Sequence, residues 1–196
     1  MNENDWDKIL RIRTTGRDDS NSDTYRYPYE PTSYDVLERL IQSGYIDKHN
    51  TVLDYGCGKG RVSLFLAFQT KCHSIGIEYD ERIYERAMAN KESCSSGSRV
   101  QFVCSDAKVY DIPTEVDRMF FFNPFSVILL RSILKKIYES YYESPRRILL
   151  MFYYPSTEYM DCLMNESRLT LVDEIDCGDL FKGSDERERI VVFSIE

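Results

Sequence analysis

Gly56, Gly58 and Gly60 stand at alternate positions just after a short apolar run, Thr51-Val-Leu-Asp-Tyr55, whose one charge is Asp54. Beyond them Val62, Phe65 and Leu66 return at helical spacing. Strand, glycine turn and helix make a geometry that binds nucleotide-like ligands. A backbone without Cβ atoms turns sharply and lets a ligand approach the N–H groups at the helix start. The pattern is G-x-G-x-G; the dinucleotide fingerprint G-x-G-x-x-G needs glycine where this chain has Arg61. An ordinary tight turn would use glycines in the same way, so the loop alone does not decide the matter.

Three further apolar runs end in residues that could do chemistry. The run Ser74–Tyr79 carries Glu78, 18 residues after Gly60, where a carboxylate can accept both hydroxyls of an adenosine ribose and Tyr79 can cover a base face. After Val100–Cys104 comes Ser105-Asp106-Ala107, in which Asp106 can take hydrogen bonds from an exocyclic amine. The fourth run ends in Asn123-Pro124-Phe125. Each has a plainer use: Asp54 as an acceptor for turn N–H groups, Glu78 as a solvated strand end, Asp106 as a cap, and Asn123-Pro124 as a turn dipeptide. Independent turns would rarely place polar groups on four successive strand ends.

The elements that must position these residues alternate. Strands are predicted at 51–55, 74–79, 100–104, 117–123 and 147–154, with helices at about 59–69, around Ile83–Met88, at 126–142 and around 156–165. Such alternation gives a parallel sheet with helices on both faces, because right-handed crossovers place them there. The stretches 170–177 and 188–195 are strand-like and have no room for a crossover helix between them, so they pair as an antiparallel hairpin on the sheet edge. The fold class is therefore α/β, a three-layer doubly wound sheet of five parallel strands plus a C-terminal antiparallel hairpin. Upstream, Trp6, Ile9, Leu10 and Ile12 suggest a short capping helix, and residues 14–24 form a polar loop. Tyr25–Pro31 is extended by its two prolines, and Thr32 opens a helix with Asp35 placed for a capping box. Residues 1–31 are expected to act as a cap or lid, with Tyr25, Tyr27 and Tyr29 facing a substrate, and 32–196 to form the main domain.

Composition narrows the class. With 42% apolar and 30% charged residues the chain is that of a soluble globular protein. No run of about 18 apolar residues exists to span a membrane, and the start has neither the basic nor the apolar region of a secretory signal. Six cysteines without a C-x-x-C and only two histidines argue against zinc ligation and point to a reduced, cytoplasmic compartment. A net charge of −8 disfavours nucleic acid as a partner, since phosphate attraction dominates that affinity.

On these residues the chain resembles the class I S-adenosylmethionine-dependent methyltransferases over roughly residues 30–196. Val52–Gly60 is similar to that family's first motif, Glu78 stands where the family has its ribose-binding acid, and Asp106, beside Ala107, where it often has an adenine contact. The resemblance implies a seven-stranded sheet with its last strand antiparallel, and a glycine loop passing under the methionine moiety and ribose of S-adenosyl-L-methionine. Asn123-Pro124-Phe125 resembles the N/D-P-P-Y/F motif of amino-methyltransferases, with one proline in place of two. In that motif the Asn side chain and a backbone carbonyl accept hydrogen bonds from the target nitrogen. Tyr29-Glu-Pro-Thr32 is similar to a segment that helps close the cofactor site in small bacterial methyltransferases and in lysine methyltransferases of the nucleosome core.

The expectation is an enzyme that moves a methyl group from S-adenosylmethionine to a nitrogen or oxygen of a small molecule or protein. Asn123 orients the nucleophile and Phe125 forms a wall. A non-catalytic S-adenosylmethionine-binding subunit or sensor is the alternative, and an NAD-dependent oxidoreductase is the reading that Arg61 argues against.

Overall fold

The computed structural model describes residues 3–18, 29–183 and 185–196. Five strands run parallel: β1 (Thr51–Tyr55), β2 (His73–Glu78), β3 (Val100–Cys104), β4 (Arg118–Phe121) and β5 (Ile148–Tyr153). β6 (Thr170–Asp176) and β7 (Arg189–Ile195) are antiparallel to each other, and β7 is antiparallel to β5. The sheet order is β3-β2-β1-β4-β5-β7-β6, so the predicted hairpin occupies one edge. From β1 the chain winds outward through β2 and β3, then returns to place β4 on β1's other side. The carboxyl ends of β1 and β4 thus flank a topological switch point, where open α/β sheets form a crevice.

Alternation along the strands builds two cores. Val52, Phe120, Met151 and Val192 face one side, under α2 (Tyr34–Gln42), α3 (Arg61–Thr70) and α4 (Glu81–Ser93). Leu53, Phe121, Leu150 and Phe193 face the other, under α5 (Val127–Glu143) and α6 (Thr157–Met164). Each such side chain stabilises the fold by about 1.5–3 kcal/mol when fully buried. α3 is buried from Arg61 to Ala67 because α2 and α1 (Glu3–Leu10) cover its outer surface.

A polar clasp holds α1 and the following residues onto α3. Arg61, 2% exposed, donates through Nε to Thr14 Oγ1 at 2.7 Å and through Nη1 to the Thr32 carbonyl at 3.0 Å. It also pairs with Glu3 and lies 3.8 Å from the Asp7 carboxylate. Asp7 accepts from the Thr14 amide and hydroxyl, 2.7 Å each, and from the Tyr34 hydroxyl at 2.6 Å. Trp6 packs edge-on against Phe65 at 4.9 Å. Farther along, Lys59 Nζ donates to the carbonyls of Thr15 and Gly16 at 3.1 Å each.

The predicted capping box at Thr32 is not formed. Ser33 is the N-cap of α2, accepting from the Asp35 amide at 3.3 Å, and Glu3 accepts from the Tyr34 amide at 2.9 Å. Thr32 is buried, with its carbonyl turned to Arg61, so the carboxylate that completes the cap comes from α1 rather than from within the helix. The strand boundaries differ by a residue or two from expectation at β2, β4, β5, β6 and β7. Among the described residues no helix is long and apolar enough to cross a membrane.

Candidate active site

A cleft with about 1070 Å3 of space between its walls lies across the switch point. Asp54, Glu78, Asp106 and Asn123 line it from the ends of β1, β2, β3 and β4, with Tyr29 and Thr32 on the opposite wall. Gly56, Tyr79, Ala107, Pro124 and Phe125 also line it. Eleven of the thirteen expected site residues therefore meet in one place; Gly58 and Gly60 do not reach the wall. A Cβ on Gly58 would enter the Tyr29 ring, and one on Gly60 the Phe102 ring. These two glycines make room for protein side chains, and both sit at left-handed φ (+56° and +86°), where a side chain is strained. Tyr25 and Tyr27 lie outside the described residues.

The loop is held from within. Gly56 and Cys57 both donate to the Ile77 carbonyl, at 3.0 and 2.9 Å, and Gly58 N–H donates to Glu78 Oε2 at 2.9 Å. Glu78 Oε1 accepts from the Asp80 amide, also at 2.9 Å. Burial raises the Glu78 pKa while these backbone donors lower it. Each oxygen has a second lone pair, so the carboxylate keeps acceptor capacity. Asp54 is 2% exposed and receives the Ser63 hydroxyl at 2.9 Å. Burial pushes its carboxyl up to about 7 against the hydroxyl and amide of Ser63, which favour the charged form. Burial also raises the Cys57 thiol well above its ordinary value, which leaves it a poor nucleophile. Asp106 accepts from the Lys108 amide at 3.0 Å, so part of its capacity closes its own turn. Tyr79 is 53% exposed at the rim.

Tyr29 spans the opposite wall. Its hydroxyl donates to the Thr14 carbonyl at 2.6 Å, its ring covers Gly58, and the Lys59 ammonium lies 4.6 Å from the ring centre. Burial raises its pKa.

The ends of β4 and β5 are the most unusual feature. Asn123 and Tyr154 both have left-handed backbones, φ +38° and +52°. Asparagine tolerates this conformation; for tyrosine it costs about 1–3 kcal/mol and persists only where surroundings fix it. Asn123 Nδ2 donates to the Tyr154 carbonyl, which aims the amide. Its Oδ1 is buried and, among the described residues, has no hydrogen-bond partner. Phe125 is 4% exposed and packs edge-on to Tyr55 and Phe121 at 6.3 Å each, and its carbonyl takes the Tyr159 hydroxyl at 2.6 Å. That bond fills one of the carbonyl's two acceptor positions.

Asn123, Phe122, Glu30 and Pro31 are shared with a second chamber, whose remaining walls include Tyr153, Tyr154 and Glu188. Sequence reasoning missed this chamber. It also missed Arg61 as the anchor of the clasp, although a lone arginine inside an apolar helical run was a visible signal. The Tyr153-Tyr154-Pro155 strand end was the corresponding signal for the chamber. Among the described residues no cluster suited to a metal ion exists.

Residues 52–142 match a family described as a methyltransferase domain. A protein-lysine N-methyltransferase of Saccharolobus islandicus is 37% identical over 79 residues, 39% of this chain and 48% of that protein. A tRNA1(Val) (adenine(37)-N6)-methyltransferase of Bacteroides fragilis is 32% identical over 65 residues, 33% of this chain and 27% of that protein. The match thus spans about half or less of the length of these relatives. An RNA methyltransferase from Salinibacter ruber, solved with S-adenosyl-L-homocysteine, superposes with a TM-score of 0.57 at 21% identity over 85% of this chain and 94% of its own. Fold and cleft define a class I methyltransferase architecture. Residues 52–142 thus match a methyltransferase domain, and the chain has the fold of the class I S-adenosylmethionine-dependent methyltransferases.

Proposed function

We propose that the chain transfers a methyl group from S-adenosylmethionine to a nitrogen nucleophile held at Asn123. The observation that carries this is the unpartnered Asn123 Oδ1, fixed as an acceptor by the Nδ2 bond to Tyr154, where the two chambers meet. Both sequence relatives are named for transfers to nitrogen, which supports nitrogen over oxygen.

The donor set suits the cofactor along its length. Glu78 and Asp106 offer carboxylates to the ribose and adenine, with Tyr79 and Ala107 beside them. Asp54 offers a buried carboxyl to the cationic methionine end, and Gly56 forms the floor against Pro124. Arg61 Nη2 is buried and has no hydrogen-bond partner among the described residues, which provides a donor for a carboxylate. Tyr29 and Thr32 close the wall, and residues 3–18, held onto α3 by the clasp, act as the cap. When bound, the cofactor supplies an electrophilic methyl group on a good leaving group.

The protein's task is then to position the nucleophile and exclude water, with reacting atoms about 3–3.5 Å apart. Asn123 Oδ1 accepts an N–H and turns the nitrogen lone pair toward the first chamber. Pro124 and Phe125 hold that asparagine in place: Pro124 against Gly56 and Phe125 through its packing on Tyr55 and Phe121. A neutral amine needs no strong base, so no histidine is required.

A binding subunit or sensor without catalysis would not need a strained strand end or a second chamber opening on it. Calorimetry with S-adenosylhomocysteine, S-adenosylmethionine and NAD tests the cofactor; binding of NAD alone would end this reading. Asn123→Ala should keep cofactor affinity and lose turnover. Intact turnover would move the nucleophile elsewhere.

A further inference from the structure

We infer that the second chamber selects a primary alkylamine, the chemistry of a lysine side chain or a free diamine, as the methyl acceptor; this rests on the methyl-transfer reading above. Four rings line that chamber: Phe122, Tyr153, Tyr154 and Phe181. Two carboxylates, Glu30 and Glu188, share its walls with one cation, Arg17, which already has an interaction partner. Glu188 is held in place by the Tyr153 hydroxyl at 2.7 Å. Nearby, Asp185 and Arg187 neutralise each other at 2.8 Å, and both contact the Tyr154 hydroxyl. The charge left to an incoming group is therefore negative.

Aromatic faces and carboxylates together attract an ammonium, while the rings accommodate the methylene stem behind it. A phosphate-bearing acceptor meets the opposite conditions, and the net charge of −8 opposes it again. At the inner end the amine meets Asn123, a neutral acceptor, so nothing there holds the nitrogen in its charged form. The amine reacts after giving one proton to water. Its lone pair then forms the N–C bond while the S–C bond breaks with its electrons on sulfur. The extra proton on the product amine passes to solvent through the chamber.

Labelled S-adenosylmethionine should be offered with four acceptors: a lysine-containing peptide, the same peptide with norleucine, 1,5-diaminopentane, and an adenine-containing RNA oligonucleotide. The expected result is transfer to the lysine peptide or the diamine and none to the norleucine peptide or the RNA. Which amine reacts faster separates a protein source from a free one. Glu188→Gln and Glu30→Gln should each raise the amine KM roughly tenfold, the effect of one charge-assisted contact; in Glu188→Gln, at a position that lines the second chamber alone, S-adenosylhomocysteine affinity stays unchanged. Labelling of RNA in preference to both amines, or an amine KM indifferent to both substitutions, would overturn the inference. Loss of S-adenosylhomocysteine binding in the unaltered protein would instead defeat the methyl-transfer reading.

Discussion

Raising the pH should weaken the ligand-free fold through Asp54. Its carboxyl is held up to about 7 by burial, whereas an aspartate in an unfolded chain titrates near about 3.9. Between those values the folded chain keeps a proton that the unfolded chain has released. Stability therefore falls as pH rises from about 4 to 7 and is level above that range. About three units at about 1.4 kcal/mol each give about 4 kcal/mol for the whole window. Across pH 5.5 to 7.5 the share is about 2 kcal/mol, or about 4–8 °C in Tm for a chain of this size. Asp54→Asn keeps an acceptor for Ser63 and cannot ionise, so it should flatten the slope; the part that remains belongs to Glu78, raised by the same cause. Scanning calorimetry of both proteins across this range is the assay. A Tm that rises with pH in the wild type, or a slope unaltered in the variant, would refute the reasoning. The same proton must leave when a cation sits beside Asp54. At pH 6.5 roughly three-quarters of the molecules carry it, so the enthalpy of S-adenosylmethionine binding should vary with the buffer's heat of ionisation.

Glu78→Gln turns an amide NH2 toward one of the two backbone N–H groups that the carboxylate now accepts. S-adenosylhomocysteine should bind about 10–100-fold more weakly, the equivalent of about 1.5–3 kcal/mol; equal affinity in calorimetry would remove Glu78 from the ribose. Arg61→Met leaves Asp7 and Glu3 without their cation and should cost about 3–5 kcal/mol in urea unfolding. A loss under about 1 kcal/mol would mean that the clasp does not hold the N-terminal helix. Gly58→Ala meets both a left-handed backbone and the Tyr29 ring. It should lower stability by about 1–2 kcal/mol from the backbone alone and weaken cofactor binding as the ring is displaced; a variant as stable as the wild type would show that Tyr29 does not rest on the loop.

The sequence by itself determined the layer order and the strand-end wall of the cleft. Apolar strands of period two and helices of longer period are local properties, and residues at strand ends are brought together by any doubly wound sheet. That is why Asp54, Glu78, Asp106 and Asn123 could be gathered in advance from four separate motifs. What lies across the cleft depended on tertiary structure. Arg61 read as a missing glycine, yet its role as an anchor needed Asp7, Thr14 and Thr32 to converge from distant parts of the chain. Gly58 read as space for a ligand, and only packing showed the Tyr29 ring filling it. The second chamber is formed by Glu30, Asn123, Tyr154 and Glu188, among others, contributed by strand ends and loops far apart in sequence. No local pattern encodes such a meeting. It follows from the switch point placing β4 beside β1, and from β7 returning antiparallel along β5.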